Sequence, residues 1–248
     1  MKTVLLALIV YLITAQAFAC ELTVRYEHYS PKKVSDKMQW HGMDVDFAKA
    51  LLEQADCKYR FVDMAWGRAI DLLKQGKIDM MLGVSDLEKR KQFAHFIGPH
   101  RQEVIVLATL VSEAFFIEEL DELKNLPKPI AIQRVAYYGD EFESLLESDP
   151  YSDIHFVSIP NNDVKLYLLR NKRISGFLEE RSNILYQSNN NPEFKDIVVN
   201  PFVIHSNPVY FALSRKTVNE TLLNKLEAAF VVLQKKQTFK EILKKYQN

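Results

Sequence analysis

Hydrophobic positions along the chain alternate between short apolar runs and stripes with helical spacing. Residues 22–26 and 59–62 are runs of the first kind and predict strands. Between them an apolar stripe at i, i+3, i+4 and i+7 predicts an amphipathic helix, with Asp44 as its N-cap. The stripe consists of Ala48, Leu51, Leu52 and Ala55. The order strand, helix, strand indicates a βαβ unit and an α/β fold.

One pattern occurs twice. Residues 72–82 read LLKQGKIDMML, and residues 168–178 read LLRNKRISGFL. Each copy predicts a helix end, a tight basic turn and a buried strand. Two copies indicate two similar lobes, and a ligand would sit between them because ligands bind beyond the carboxyl ends of such strands. The alternative is chance similarity between two ordinary helix-turn-strand segments.

Apolar runs and helical stripes in the rest of the chain predict further strands and helices. A helix is expected from Trp66 to Gln75, ended by Gly76, and another is expected to be capped by Asn162. Further strands are predicted at 78–84, 103–111, 130–133, 154–159 and 209–213, and further helices at 117–126, 140–146, 222–233 and 239–246. The runs at 103–111 and 209–213 are read as the two strands that cross between the lobes and permit hinge closure.

The amino-terminal residues predict export. Lys2 precedes an apolar run at 4–13, and small residues flank positions 16 and 18, which is typical of a secretory signal peptide over residues 1–19. A membrane anchor is the alternative, but the run is short for a span of about 20 residues. The 248-residue chain has a formal net charge of +0, with Lys and Arg spread along it. We therefore expect a periplasmic monomer without a nucleic-acid partner.

The chain has two cysteines, Cys20 and Cys57. Each directly precedes a predicted strand, and parallel neighbours would place both at one sheet edge, so a disulfide is expected in an oxidising compartment. Lipidation of Cys20 is the alternative, although residues 17–19 match the usual lipidation pattern poorly.

Charged and aromatic residues follow the predicted strands. Arg90 comes after the first copy of the repeat and Glu180 after the second. An arginine can hold a carboxylate in a bidentate fork and a buried Glu can accept hydrogen bonds from an ammonium, which together suit an α-amino acid. Trp66 and Tyr29 lie where a ligand side chain would rest against a flat ring. Each of these roles has a competing interpretation. Arg90 could lie on a solvated helix turn, and the rings of Trp66 and Tyr29 could simply pack in the core.

An ordered set of motifs resembles the periplasmic solute-binding proteins of family 3, which serve ABC importers of polar amino acids. The set is Tyr29-x-Pro31, Gly42-x-Asp44-x-Asp46, Trp66 with Arg68, residues 76–79, Arg90 and residues 208–214. The resemblance covers essentially the whole mature chain. It implies the bilobal type II periplasmic-binding-protein fold, with two mixed-sheet lobes joined by two hinge strands. Lobe 1 is expected at 20–108 with 208–248, and lobe 2 at 109–207.

The resemblance also assigns roles. Arg90 falls where the family holds the substrate carboxylate, Trp66 and Tyr29 where it stacks the side chain, and Glu180 where it usually has an Asp for the ammonium. The chain departs from the pattern at Leu87, where the family usually has a hydroxyl residue.

In the second lobe, bulky and charged residues at 134–139 replace the family's small or hydroxyl-bearing turn. The further candidate ligand contacts are Ser85, Arg68, Arg134 and Tyr137. With this bulkier and more charged segment, the ligand could be smaller, differently charged or not an amino acid. Arg68 and Arg134 could equally be surface residues.

The sequence thus predicts a non-enzymatic protein that captures a small polar solute, an amino acid or an analogue, and delivers it to a membrane ABC permease. No cofactor or metal is expected, because the chain lacks zinc, phosphate-loop and nucleophile-elbow motifs. Two alternatives remain open, a sensor that docks on a membrane receptor and a dehydratase-like enzyme on the same fold.

Overall fold

A computed structural model describes residues 20–27 and 40–247 of the chain. The strands in this part are β1 (Glu21–Tyr26), β2 (Lys58–Asp63), β3 (Met80–Val84), β4 (Ala94–Leu110), β5 (Ile130–Gln133), β6 (Phe156–Ile159), β7 (Gly176–Glu180) and β8 (Ile197–Ser214). The helices are α1 (Met43–Gln54), α2 (Trp66–Gln75), α3 (Glu88–Lys91), α4 (Asp140–Ser148), α5 (Ser152–His155), α6 (Asn162–Arg170), α7 (Arg181–Asn190), α8 (Glu220–Lys235) and α9 (Thr238–Gln247). None of these helices is long and apolar enough to cross a bilayer.

The strands pair in the order β2-β1-β3-β8-β4-β7-β5-β6, which is symmetric about its centre. In the first half β1 pairs in parallel with β2 and β3, and in the second half β5 pairs in parallel with β6 and β7. The long strands β4 and β8 run antiparallel to each other between the halves, with a register shift between Ile97 and Arg101. The predicted α/β class with a mixed sheet is confirmed.

Buried side chains fall into two groups that match the two halves of the sheet. One group joins β1, β2, β3 and helices α1, α2 and α8, and the other joins β5, β6, β7 and helices α4 and α6. Along β4 the packing changes group between Ile97 and Ile105, and along β8 between Ile204 and Phe211. Two separate cores connected by two long strands are consistent with the predicted lobes, while the residue limits of those lobes stay a prediction.

The repeated sequence pattern forms the same structure twice. In the first copy α2 ends at Gly76, which is left-handed at φ 74°, and β3 follows. In the second copy α6 ends before Lys172, which adopts φ 55° at the equivalent turn, and β7 follows. A glycine adopts this conformation without steric cost, whereas a lysine is strained in it. Backbone hydrogen bonds from the amides of Lys172 and Arg173 to the carbonyls of Leu169 and Leu168 hold the second turn in this geometry.

Several predicted element boundaries are wrong. Asp44 is not the N-cap of α1, because that helix begins at Met43 after Gly42, whose positive φ of 127° suits a glycine. The N-cap of α6 is Asn161, whose side chain accepts a hydrogen bond from the Val164 amide, and not Asn162.

Three further segments differ in length or type. The segment predicted as a helix at 117–126 forms a short 3-10 helix at Leu120–Asn125, and Pro127 follows it closely. The strand predicted from residue 154 begins at Phe156, because Ser152–His155 forms a helical turn. The hinge strand predicted from residue 103 begins at Ala94.

The expected disulfide between Cys20 and Cys57 is confirmed. Both cysteines precede the paired strands β1 and β2, in which Glu21 lies opposite Lys58. They lie at the edge of the sheet opposite the strand ends that face the cavity described below. A sulfur held in this bond is not available for lipidation.

Candidate functional site

A cavity of about 540 Å³ lies beyond the carboxyl ends of β1, β3, β5 and β7. The residues that close these strands line it, namely Glu27, Ser85, Gln133 and Glu180. The carboxyl ends of parallel strands are where open α/β sheets bind ligands, and a cavity of this size accommodates a small molecule. The cavity is therefore the candidate site.

Residues from both halves of the molecule contact each other around the cavity. Glu27, just after β1, accepts hydrogen bonds from the side chain of Gln133 and from the backbone amide of Asn162, both at 3.1 Å. On another side of the cavity, the rings of Tyr186 on α7 and Tyr246 on α9 lie 5.0 Å apart. The two halves thus contact each other on two sides of the cavity.

The structure gathers five of the eight predicted ligand contacts around this cavity. Trp66, Ser85, Arg90, Tyr137 and Glu180 line it.

The other three predicted contacts lie elsewhere. Arg68 and Arg134 are exposed and outside the cavity lining, which favours the interpretation that they are surface residues. Tyr29 lies outside the described residues.

Arg90 is a buried cation that has no carboxylate partner among the described residues. It follows β3 on the short helix α3 and is only 4% exposed. Its guanidinium donates hydrogen bonds to the carbonyl oxygens of Ser85 and Val135, both at 3.2 Å. Among the described residues no Asp or Glu oxygen lies within 4.0 Å of it. Burial lowers the pKa of Arg90 from its ordinary value, against the attraction of Glu103 and Glu143, yet an arginine stays charged at any physiological pH. A buried charge of this kind favours an anionic ligand.

Glu180, the residue expected to bind an ammonium, is already paired with a cation of the chain itself. Its Oε1 accepts hydrogen bonds from Nη1 of Arg101 at 2.6 Å and from the hydroxyl of Ser182 at 2.7 Å. Arg101 lies on β4 and also approaches Oδ1 of Asp44, 3.7 Å from its Nη2. Burial acts to lower the pKa of Arg101, but the nearby carboxylates outweigh burial and raise it. Arg101 thus remains a permanent cation next to Glu180.

The neighbouring carboxylate, Glu179, is paired in the same way. Lys165 on α6 is almost fully buried, and its Nζ lies 2.7 Å from Oε2 of Glu179. The same Nζ donates to the carbonyl of Leu178 and lies 5.6 Å from the ring centre of Phe177. Both acidic residues at the end of β7 are therefore neutralised from within the protein.

Trp66 has one ring face covered by a cation of the chain. The guanidinium carbon of Arg25 lies 5.1 Å from its ring centroid, and Arg25 also pairs with Glu27. At most the opposite face is open to a ligand. The indole Nε1 of Trp66 is buried and has no hydrogen-bond partner among the residues that the structure describes, so it can donate to a ligand from the cavity wall.

Glu103 lies on β4, two residues beyond Arg101, and lines the cavity. Its carboxyl makes no hydrogen bond or ion pair within the described part of the chain. Burial raises its pKa from 4.5 to about 8, with Arg101 opposing the shift and the carboxylates of Glu180, Glu179 and Asp44 adding to it. Glu103 is therefore mostly protonated at neutral pH, when it can donate a hydrogen bond.

This pKa predicts how stability depends on pH. The folded state holds the Glu103 proton more tightly than the unfolded state does, so the stabilisation is complete below the unfolded pKa and is lost as the pH rises through the folded pKa. We expect the melting temperature of the wild type to fall relative to that of Glu103→Gln as the pH rises from about 5 to about 9. Differential scanning calorimetry of the two proteins measures this difference. Parallel profiles would show that the Glu103 carboxyl titrates at its ordinary pKa.

Comparison with known proteins places these features in context. The profile of the bacterial extracellular solute-binding proteins, family 3, matches residues 22–248. No curated protein matches the chain.

Among solved structures, an ancestral arginine-binding protein bound to glutamine is similar at a TM-score of 0.74 and 21% identity, over 91% of this chain and 97% of that one. A histidine kinase sensor domain, described as similar to periplasmic binding proteins, has a TM-score of 0.73 and 20% identity over 92% and 96% of the two chains. An ancestral amino acid-binding protein, described as a precursor of cyclohexadienyl dehydratase, has a TM-score of 0.73 and 22% identity over 92% and 96%. At these identities the similarity shows a common fold.

Proposed function

Because the chain belongs to the bacterial extracellular solute-binding proteins, family 3, we propose that it captures a small carboxylate-bearing solute of amino-acid size in the cavity between its halves. One observation carries this proposal. Arg90 is a buried cation in the cavity wall, and no carboxylate of the described chain is within 4.0 Å of it. A ligand carboxylate would provide the missing partner in a bidentate arrangement.

The proposal includes delivery of an amino acid or a close analogue to a membrane ABC permease. The long strands β4 and β8 connect the two halves, and strands of this kind allow rigid bodies to open and close around a ligand. A partner could then distinguish the closed, loaded form from the open one. Export to the periplasm is part of the same proposal, and the Cys20–Cys57 disulfide supports it because such bonds persist in oxidising compartments. The predicted signal peptide at 1–19 lies outside the described residues.

The sensor domain among the similar structures favours a second candidate, in which the closed protein docks on a membrane receptor. Ligand binding does not separate the two candidates, but the partner does. Crosslinking of the loaded protein in its native membrane would capture a permease in the first case and a receptor in the second.

Enzymatic activity is the less favoured alternative, and we propose that the ligand leaves unchanged. The similarity to a dehydratase precursor makes this testable. Incubation of the bound ligand with the protein, followed by mass analysis, should return the ligand intact, whereas a product lighter by one water would indicate a dehydratase.

A thermal-shift screen of the mature protein against amino acids, simple amines and small carboxylates tests the proposal. A carboxylate ligand at about 100 times its Kd should add about 2.7 kcal/mol to the free energy of unfolding and so raise the melting temperature. The same ligand should change tryptophan fluorescence through Trp66, which lines the cavity, so Trp66→Phe should lose the signal while Trp40→Phe keeps it. Stabilisation by amines alone would contradict a site built around Arg90.

A further inference from the structure

The cavity offers a binding partner for the carboxylate of an amino acid but not an equivalent one for its ammonium. For a carboxylate it offers Arg90, a buried cation that, within residues 20–27 and 40–247, is hydrogen-bonded only to carbonyl oxygens. For an ammonium it would need a free buried carboxylate. The two acidic residues at the end of β7 are each in contact with a buried cation of the chain itself, Glu180 with Arg101 and Glu179 with Lys165.

Arg101 occupies the position that a ligand cation would need. Its side chain is 3% exposed, and its Nη1 lies 2.6 Å from the Glu180 oxygen that also accepts the Ser182 hydroxyl. A ligand ammonium placed against Glu180 would share that carboxylate with Arg101. Two cations would then stand close together in a medium of low dielectric constant, where like charges repel strongly.

We propose that Arg101 is a specificity-determining residue that acts as a built-in replacement for the ligand ammonium, so that the cavity prefers a carboxylate with a neutral neighbouring group, a 2-oxo or 2-hydroxy acid, over the matching α-amino acid. This inference rests on the proposed function, since it takes Arg90 to hold the ligand carboxylate.

The other polar atoms of the cavity wall agree with a neutral, oxygen-rich ligand. Trp66 Nε1 and Arg101 Nε are buried donors without partners in the described part of the chain, and they suit the oxygens of an oxo or hydroxyl group. Glu103 is mostly protonated at neutral pH, so it adds a donor and not the negative charge that an ammonium requires. Asn162 Oδ1 is a buried acceptor that finds no partner within the described chain, and a neutral hydroxyl can donate to it.

Of the other carboxylates that line the cavity, Glu27 is paired with Arg25, and Asp44 lies close to Arg101. The Oδ1 of Asp44 lies 3.7 Å from Nη2 of Arg101 and is buried without a hydrogen-bond partner among the described residues, although the side chain as a whole is 41% exposed, compared with 10% for Glu180. An ammonium placed against this oxygen would again stand next to the Arg101 guanidinium and be repelled by it. Asp44 lessens the preference for neutral ligands without reversing it.

The test compares matched ligands that differ only at the second carbon. Isothermal calorimetry of the wild type would use three sets, alanine with pyruvate and lactate, leucine with its oxo and hydroxy acids, and phenylalanine with phenylpyruvate and phenyllactate. In the set that binds most tightly, we expect the oxo or hydroxy acid to bind at least about tenfold more tightly than the amino acid. An amino acid that binds as tightly as its partners, or more tightly, overturns the inference and leaves the proposed function standing. Failure of every carboxylate to bind overturns both.

Variants of Arg101 test the cause. Arg101→Met frees Glu180 and should shift the ratio of affinities at least about tenfold toward the amino acid, whereas Arg101→Lys should keep the wild-type ratio. The double variant Arg101→Met/Glu180→Gln removes both charges and should lose the gain in amino-acid binding. A merely structural role of Arg101 would lower all affinities together, so an unchanged ratio in Arg101→Met overturns the inference. The comparison of ligands on the wild type decides the preference even where a variant fails to fold.

Discussion

Replacement of Arg90 by alanine is expected to weaken binding of a carboxylate ligand by at least roughly 100-fold. The guanidinium is 4% exposed, and within the described chain it contacts carbonyl oxygens without any carboxylate. A bound ligand anion would be left buried without a counter-ion in the variant, and loss of one member of a buried charge pair costs about 3–5 kcal/mol. Isothermal calorimetry with the tightest ligand of the thermal-shift screen measures the change in Kd.

Arg181→Ala is the control, because Arg181 is half-buried at the start of α7 and outside the cavity lining. It should bind with the affinity of the wild type. Arg90 also donates to the carbonyl of Val135 in the other half, so the melting temperature of each ligand-free variant has to be measured alongside. Equal affinities for folded Arg90→Ala and Arg181→Ala would remove Arg90 from the site and would contradict the proposed function.

The topology was predictable because it follows from local sequence patterns that occur twice in the chain. Apolar runs separated by helical stripes imply parallel strands, and the repeat at 72–82 and 168–178 implies two equivalent units. The structure has both features, with β1, β2, β3 and β5, β6, β7 arranged symmetrically about β4 and β8. The boundaries were less predictable, since a cap depends on one side-chain contact. Asn161 and Asn162 are chemically identical candidates, and geometry alone selects Asn161.

The candidate site was predictable only where its residues follow strands. Arg90 follows the first unit of the repeat and Glu180 the second, and both line the cavity. Arg101 was missed because the hinge strand was predicted to begin at residue 103, whereas β4 begins at Ala94. With β4 starting at Ala94, side chains at every second position, Arg101, Glu103 and Ile105, share one face of the strand. This alternation is the sequence signal that could have identified these three residues of the cavity wall.

The pairing of Arg101 with Glu180 could not be predicted from the sequence. The two residues are separated by 79 positions and meet only because β4 and β7 are adjacent and antiparallel. The same contact explains why a family role does not transfer by position alone. Glu180 stands where an ammonium-binding carboxylate is expected, yet its Oε1 already accepts hydrogen bonds from Arg101 and Ser182.

Loss of the Cys20–Cys57 disulfide is expected to lower the free energy of unfolding by about 3–4 kcal/mol, because the bond restricts a 37-residue segment of the unfolded chain. Urea unfolding of the oxidised protein, the reduced protein and Cys20→Ser/Cys57→Ser measures the difference. The chain contains no other cysteine, so reduction acts on this bond alone. The reduced wild type and the double variant should therefore unfold at the same urea concentration, below that of the oxidised protein.

Ligand affinity should change far less than stability when this bond is removed. The cysteines precede β1 and β2, whereas the cavity lies at the opposite ends of the strands, where Arg25 and Glu27 line it. The bond acts mainly on the unfolded state, so a folded variant should present the same cavity. Equal stability of the oxidised and reduced proteins, or an acylated Cys20 in mass analysis of the mature chain, would contradict this prediction and would favour lipidation of Cys20.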